Sequence, residues 1–439
     1  MRLRLPHPLV LLLGGVAVAA LLTWILPAGA YERRMDEASG RELVVAGTYH
    51  EVPATPVGVM QAVLAVARGI VAGADIILTI LFVGGAFALL DTTGALGRLV
   101  GSLVGSTKRP RLIIVAICLI FATLGALENM QEEIVALVPV LVVLSAGLGF
   151  GAVTAVAMST GAAAIGAAFG PTNPFQTGIA LRFAEMPPLS QPTLRFGMLA
   201  VAVTIWIVWT LWMTSRDDVH PHVTAPSQEP ATTRDVVMFL TVILAFVPYV
   251  IGVMYYEWGF NELSALFLVV GFAVGLISGR DLSTTATDFL KGMETVLAAS
   301  LFVGVARAIS VVLTDGQVID TIIYGLAAPL NQVPGTLAAM LMVPVHAIIH
   351  VPVSSVSGQA VLTMPIMAPL ADLLGVSRDA AVIAFQTGGG LMELATPTNG
   401  ALLAVLLGAR VSFGRWLKFA VPGVLIVSLV GFVGIALAK

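Results

Sequence analysis

Four glutamates, Glu128, Glu132, Glu133 and Glu393, stand in sequence that is otherwise almost wholly apolar. Hydrophobic residues occupy 58% of the 439 positions and charged ones 11%, against ~25% charged in a soluble protein. The solvent of this chain is therefore a lipid bilayer, and an ionised carboxylate at that depth costs at least ~2.5 kcal/mol unless it is paired or wetted. Arg307, in mid-span, is the one base similarly placed, and a structural ion pair to one glutamate is its plain reading. One arginine cannot neutralise four acids. The rest must be protonated, solvated in a cavity, or matched by a cationic coupling ion or the ammonium of a substrate. A buried glutamate is also a natural proton carrier. Glu128, Glu132 and Glu393, with Thr396, are thus the candidates for ion coupling, and Glu133 for substrate contact.

A second set of polar residues recurs. Pro171-Thr172-Asn173 and Pro397-Thr398-Asn399 interrupt two apolar stretches, and Pro139 and Pro365 repeat at the same offset. Proline breaks helical hydrogen bonding, and in lipid such a break survives only where the freed groups line a cavity or are buried in protein. The second half of a broken helix offers unpaired N–H groups to a carboxylate, and the end of the first half offers carbonyls to a cation. Gln176 to Ala180 and Gly400 to Ala404 begin such second halves. Thr172, Asn173, Thr398, Asn399, Ser355 and Ser357, with Asn129, supply short side chains for a small-molecule substrate, although capping the breaks is their plainer role. A sodium ion fits near Asn129, Asn173, Ser355 and Asn399, and a sodium ion or a proton is the expected coupling ion, with no other cofactor. Within Gly388-Gly389-Gly390, Gly389 lets a substrate touch backbone.

The elements that hold these residues form a repeat. Leu81-Phe82-Val83-Gly84 matches Leu301-Phe302-Val303-Gly304, and each half reads as a span, an interfacial stretch, a long interrupted apolar segment, a broken span and a closing span. Residues 112–146 and 335–371 are too long for one crossing and carry polar centres, so they read as re-entrant hairpins with tips near the midplane. Each half then has an odd number of spans, and the second copy lies upside down. The expected divisions are 1–74 (first helix, external segment, interfacial helix), 75–213 (first repeat, broken helix 152–184), 214–235 (cytoplasmic linker), 236–291 (scaffold helices) and 292–439 (second repeat, broken helix 379–407). The fold class is an all-α polytopic membrane protein, and inverted repeats with broken helices meeting at the midplane mark secondary transporters.

Most of the 22 lysines and arginines fall inside if the N-terminus is cytoplasmic, which suits a multi-pass cell (inner) membrane protein. Met1 to Ala30 has the outline of a signal peptide, but Trp24, Pro27 and the length of the run suit a retained first span. A net charge of −3 says nothing of partners, and nucleic acid is not expected. Cys118 reads as packing. His346 and His350 stand four apart, a metal-compatible spacing with no third ligand nearby. His350 near Ser355 raises an intramembrane hydrolase as a rival, without a Gly-x-Ser-x-Gly motif to support it, so no enzyme is expected. A channel is the other rival. Arg182 anchors at the interface or serves a dianion, and the tryptophans read mostly as interface anchors.

Hairpin tip, proline, then a helix breaking at Pro-Thr resembles the ion transporter superfamily, which includes divalent anion/sodium symporters. Glu132-Glu133, Gly170-Pro171-Thr172-Asn173-Pro174-Phe175 and Ala395-Thr396-Pro397-Thr398-Asn399-Gly400 resemble the YfcC branch of the DcuC family. The resemblance implies an elevator-type homodimer, in which hairpins and broken helices carry substrate past fixed scaffold helices. Branch members are assigned to C4-dicarboxylate carriage or to basic amino acid antiport, so it leaves the substrate open. In the related dicarboxylate carriers the tips bear Ser-Asn-Thr. Ser355-Val356-Ser357 fills that place in the second half, whereas the first half has Asn129-Met130-Gln131 and two glutamates, against a simple sodium–dicarboxylate mechanism. An amino acid, with proton or sodium coupling, is the favoured cargo.

Overall fold

The computed structural model describes residues 7–36, 41–106, 108–214, 229–256 and 258–438. Of the expected linker, 215–228 lie outside the described residues, as do Arg2 and Arg4. Among the described residues, seven helices are long and apolar enough to cross a membrane, and the chain is an all-α polytopic membrane protein built as an inverted repeat. The helix Pro8–Ile25 opens the chain. A short segment follows, in which Gly29–Ala30 pairs with His50–Glu51 and Arg33–Asp36 with Arg41–Val44, both antiparallel. This segment is clamped to the helix Ile319–Ala327, where buried Asp320 accepts from the Tyr31 amide at 3.0 Å and pairs with Arg33 at 2.9 Å.

The first repeat runs from the span Ala74–Thr92 through the short helix Ala95–Ser106 to a hairpin with arms Pro110–Glu128 and Ile134–Gly147. The hairpin turns because Asn129 takes the left-handed conformation (φ 60°) at the end of its first arm, a conformation asparagine tolerates better than most residues. The broken helix spans Ala152–Phe183 and closes on the helix Pro192–Thr214. In the second repeat a single helix, Leu282–Asp315, precedes the hairpin arms Gly335–His350 and Val356–Leu373. The second broken helix has pieces Arg378–Phe385, Gln386–Gly390 and Gly400–Gly408, and Phe413–Leu437 closes the chain.

Small residues set how closely each hairpin sits on the broken helix of its own half. A Cβ on Gly125 would strike the Ala163 carbonyl, one on Gly166 the Ala122 carbonyl, and one on Gly388 the Val343 carbonyl. Such backbone proximity gives membrane helices their van der Waals contact where lipid offers no hydrophobic drive.

Two expectations change. The division at 291/292 falls inside Leu282–Asp315, an unbroken helix of 34 residues, ~51 Å long at 1.5 Å per residue. Gly292 lies inside it, where the Gly85 backbone and the Ala88 methyl pack closely against it. Nor are all the tryptophans interface anchors. Trp206 and Trp416 are fully buried, and their Nε1 groups donate to the Ala157 carbonyl at 2.9 Å and the Leu394 carbonyl at 2.8 Å. Both acceptors lie where a broken helix departs from α geometry; the Ala157 carbonyl also takes the Ala162 amide, whereas the Leu394 carbonyl is served by its indole.

Candidate functional site

The two breaks meet the two tips through matching bonds. Thr172 Oγ1 donates to the Ala126 carbonyl at 3.2 Å, and Thr398 Oγ1 donates to the Val351 carbonyl at 2.7 Å. In each half the threonine thus ties the break to the end of the first hairpin arm. The asparagines cap the helical segments beyond the breaks. Asn173 Oδ1 accepts from the Phe175 and Gln176 amides at 2.9 and 2.7 Å, and Asn399 Oδ1 accepts from the Leu402 amide at 3.0 Å. These caps fit the preference for asparagine at helix starts. π-turns at Ala157–Gly161, Pro174–Gly178 and Gln386–Gly390 flank the breaks; such irregular turns collect at functional sites.

A cavity of about 570 Å³ lies between the tips, within the usual range for small ligands. Its wall includes Glu128, Asn129, Glu132, Glu133, Ser355, Ser357, Glu393 and Asn399. Thr172, Asn173, Thr396, Thr398 and Gly389 are absent from that wall. Thr396 pairs with Thr398 at 2.7 Å, and Gly389 packs against the Gln359 amide. The cavity extends to Arg68 and Asp315, which pair with each other beside Thr55. It therefore faces the side that carries the 29–51 segment.

The wall is acidic. Glu128 is buried, and neither carboxylate oxygen has a hydrogen-bond partner among the described residues. Glu133 Oε2 accepts from the Gln131 amide at 3.2 Å. Arg307 also lines the cavity and acts electrostatically on Glu132, yet it forms no ion pair at contact distance among the described residues. The oxygens suggested for sodium are largely engaged. Asn129 Oδ1 accepts from Gln176 Nε2 at 2.8 Å, Asn173 Oδ1 takes two amides, and Asn399 Oδ1 takes the Leu402 amide while its Nδ2 contacts Glu393. No cluster of three or more histidine, cysteine or acidic side chains is arranged for a metal among the described residues.

The sequence did not single out the amide side chains that organise the site. Gln359 bridges the two histidines of the second hairpin, with Oε1 2.8 Å from His350 Nδ1 and Nε2 2.8 Å from the His346 carbonyl. His350 Nε2 lies 3.2 Å from Glu393 Oε1, within ion-pair distance though not aligned as a hydrogen bond. Behind the site, Gln386 Nε2 donates to the Ala168 carbonyl at 2.9 Å and Thr177 Oγ1 at 2.6 Å, locking one broken helix to the other. Arg195 joins this lock through Gln386 Oε1 at 2.6 Å and buried Asp379 at 2.7 Å. The available cue was a run of polar residues of the same kind inside apolar spans, at Gln176, Gln359 and Gln386.

Among known proteins, the chain is 29% identical to the Escherichia coli (strain K12) protein named "Putative basic amino acid antiporter YfcC", over 95% of this chain and 93% of that one. The Alcanivorax borkumensis YdaH transporter structure covers 98% of both chains at 16% identity with a TM-score of 0.46. Neisseria gonorrhoeae MtrF, described with a class of antimetabolite efflux pumps, covers 99% of this chain and 96% of its own at 15% identity with a TM-score of 0.45. The family described as C4-dicarboxylate anaerobic carrier, DcuC, matches residues 5–439, and the chain belongs to that family of transporters.

Proposed function

We propose that this protein is a secondary active carrier for an amine-bearing carboxylate, a basic amino acid above all, exchanged by antiport across the cell (inner) membrane. The observation that carries the reading is the charge of the cavity. Glu128, Glu132, Glu133 and Glu393 line it against Arg307, since Arg68 is taken by Asp315. A dicarboxylate needs the opposite balance. An α-carboxylate finds the first amides of the helix Gly400–Gly408, whose Gly400 and Ala401 line the cavity, and helix starts favour anions. The amine end then meets the glutamates. The name of the Escherichia coli relative points the same way.

The internal bonding supports an elevator. Each hairpin is tied to its break and the two broken helices are tied to each other. Among the described residues, polar links from this block to the helix Leu282–Asp315 are few, Ser310 Oγ to the Pro352 carbonyl at 3.2 Å being one, and Gly400 packs closely on that helix against the Phe302 and Val303 backbone. The block moves as a unit in a homodimer, with the N-terminus cytoplasmic and the cavity facing outward in this conformation.

The test is counterflow in proteoliposomes loaded with unlabelled L-arginine or succinate. Saturable arginine-for-arginine exchange, lost in Glu133→Gln and Asn399→Ala while both variants elute as wild type, is the expected result. Succinate exchange without arginine exchange overturns the reading, and non-saturating conductance makes the protein a channel.

A further inference from the structure

Gln359 cannot be reversed without setting its oxygen against the His346 carbonyl, because a carbonyl accepts and never donates. Its Nε2 therefore faces that carbonyl at 2.8 Å and its Oε1 faces His350 Nδ1 at 2.8 Å. It follows that His350 Nδ1 carries a hydrogen. In a neutral imidazole the other nitrogen is then a bare lone pair, and here that nitrogen, Nε2, lies 3.2 Å from Glu393 Oε1, out of line for a hydrogen bond. Two acceptors this close, with His350 wholly buried, repel each other. One added proton removes the conflict, whether it rests on the imidazole beside a carboxylate or on the carboxyl beside a neutral ring.

We propose that His350 and Glu393 together bind one exchangeable proton, and that Gln359 is the positioning residue that gives the pair this appetite. The proposal rests on the amine-bearing substrate inferred above and names the ion that substrate is exchanged for. Glu393 lines the cavity while His350 stands behind it. An ammonium entering the cavity stabilises the Glu393 carboxylate, and the shared proton leaves to cavity water. When the substrate departs, a proton from water returns to the pair. Cation and proton thus compete for one carboxylate, and each crossing of the block carries one or the other.

The surrounding charges favour this competition. Glu132 and Arg307 share the cavity wall with Glu393, and Asp75 is a further charge near Glu132. Glu128 and Glu133 lie on the same wall. From the neighbouring elements, the Asn399 amide contacts Glu393, and His346 stands one turn before His350, edge-on to Phe385.

Two measurements on the purified full chain test this. The first needs no substrate: infrared difference spectra between acid and alkaline buffer should show a carboxyl band that Glu393→Gln removes and His350→Gln shifts. Gln359→Met keeps both titrating groups but frees the imidazole to place its hydrogen on Nε2, which relieves the alkaline form. Its carboxyl or imidazole transition should therefore move to lower pH. Unchanged spectra in all three variants overturn the shared proton. The second adds L-arginine to weakly buffered protein with an indicator dye, where proton release in wild type and its loss in His350→Gln are expected. Arginine binding by calorimetry without proton release overturns the coupling. If arginine does not bind at all, the substrate reading fails, and the spectra still decide whether the pair holds a proton.

Discussion

Asn173 is the residue whose replacement separates capping from the tie to the hairpin tip. Its Oδ1 takes two amides of the following turn, and its Nδ2 donates to the Gly125 carbonyl at 2.8 Å. Asn173→Ala loses the cap, ~1 kcal/mol. It also loses a buried hydrogen bond of ~1 kcal/mol, with no larger penalty because the Gly125 carbonyl keeps the Asn129 amide at 3.0 Å. The expected cost is therefore ~2 kcal/mol. Asn173→Ser keeps an oxygen able to cap but is too short for Gly125, so ~1 kcal/mol should remain lost. SDS-driven unfolding in mixed micelles, followed by tryptophan fluorescence and extrapolated linearly, reads both values. Arginine counterflow on the same preparations reads the tie, and both variants should lose it. Full exchange by Asn173→Ser would refute the idea that exchange needs the Asn173–Gly125 bond beside the Thr172 tie. An alanine variant within ~0.5 kcal/mol of wild type would refute the capping as well.

Three further outcomes are expected. Trp416→Phe keeps the ring volume nearly intact but strands the Leu394 carbonyl at the second break, costing ~1–3 kcal/mol in the same unfolding measurement. Arg195→Met leaves Asp379 buried without its cation and should cost ~3–5 kcal/mol, while the double variant Arg195→Met/Asp379→Leu should regain much of that loss. The third is a pH effect at the interfacial pair of Arg98 and Asp235, 2.7 Å apart, where the guanidinium holds the Asp235 carboxyl well below the usual range. Since the folded value is depressed, the stabilisation is fully present above the unfolded value of ~3.9 and fades as pH falls through the folded one. Asp235→Asn should thus weaken the protein at neutral pH and flatten its acid-side loss of stability.

The parts of this architecture that announce themselves in sequence are those where apolar runs are broken by residues lipid will not tolerate. Pro-Thr-Asn and the polar tip centres belong to that class, and the cavity wall drew Glu128, Glu132, Glu133, Glu393, Ser355 and Ser357 from it. The hidden parts depend on residues far apart in the chain. His350 and Glu393 are separated by one hairpin arm and the first pieces of the broken helix, and nothing local says that Gln359 bridges two histidines. Trp206 and Trp416 look like surface anchors because indole suits interfaces, and only the close approach of a broken helix turns them inward. The division at 291/292 cuts a continuous helix, in which the missing side chain of Gly292 admits the neighbouring Gly85 backbone.

The matching threonine ties also bear on how the protein is made. Thr172 bonds a carbonyl 46 positions earlier and Thr398 one 47 positions earlier, so each tie closes soon after its own half leaves the ribosome, and domains tend to fold in that order. The links from Arg195 to Asp379 and from Ala168 to Gln386 span 184 and 218 positions. They must wait for the second half. During synthesis the first half therefore sits in the membrane as a closed hairpin unit with Arg195 lacking its eventual carboxylate, and the arrival of Asp379 is the event that turns two separately assembled halves into one body.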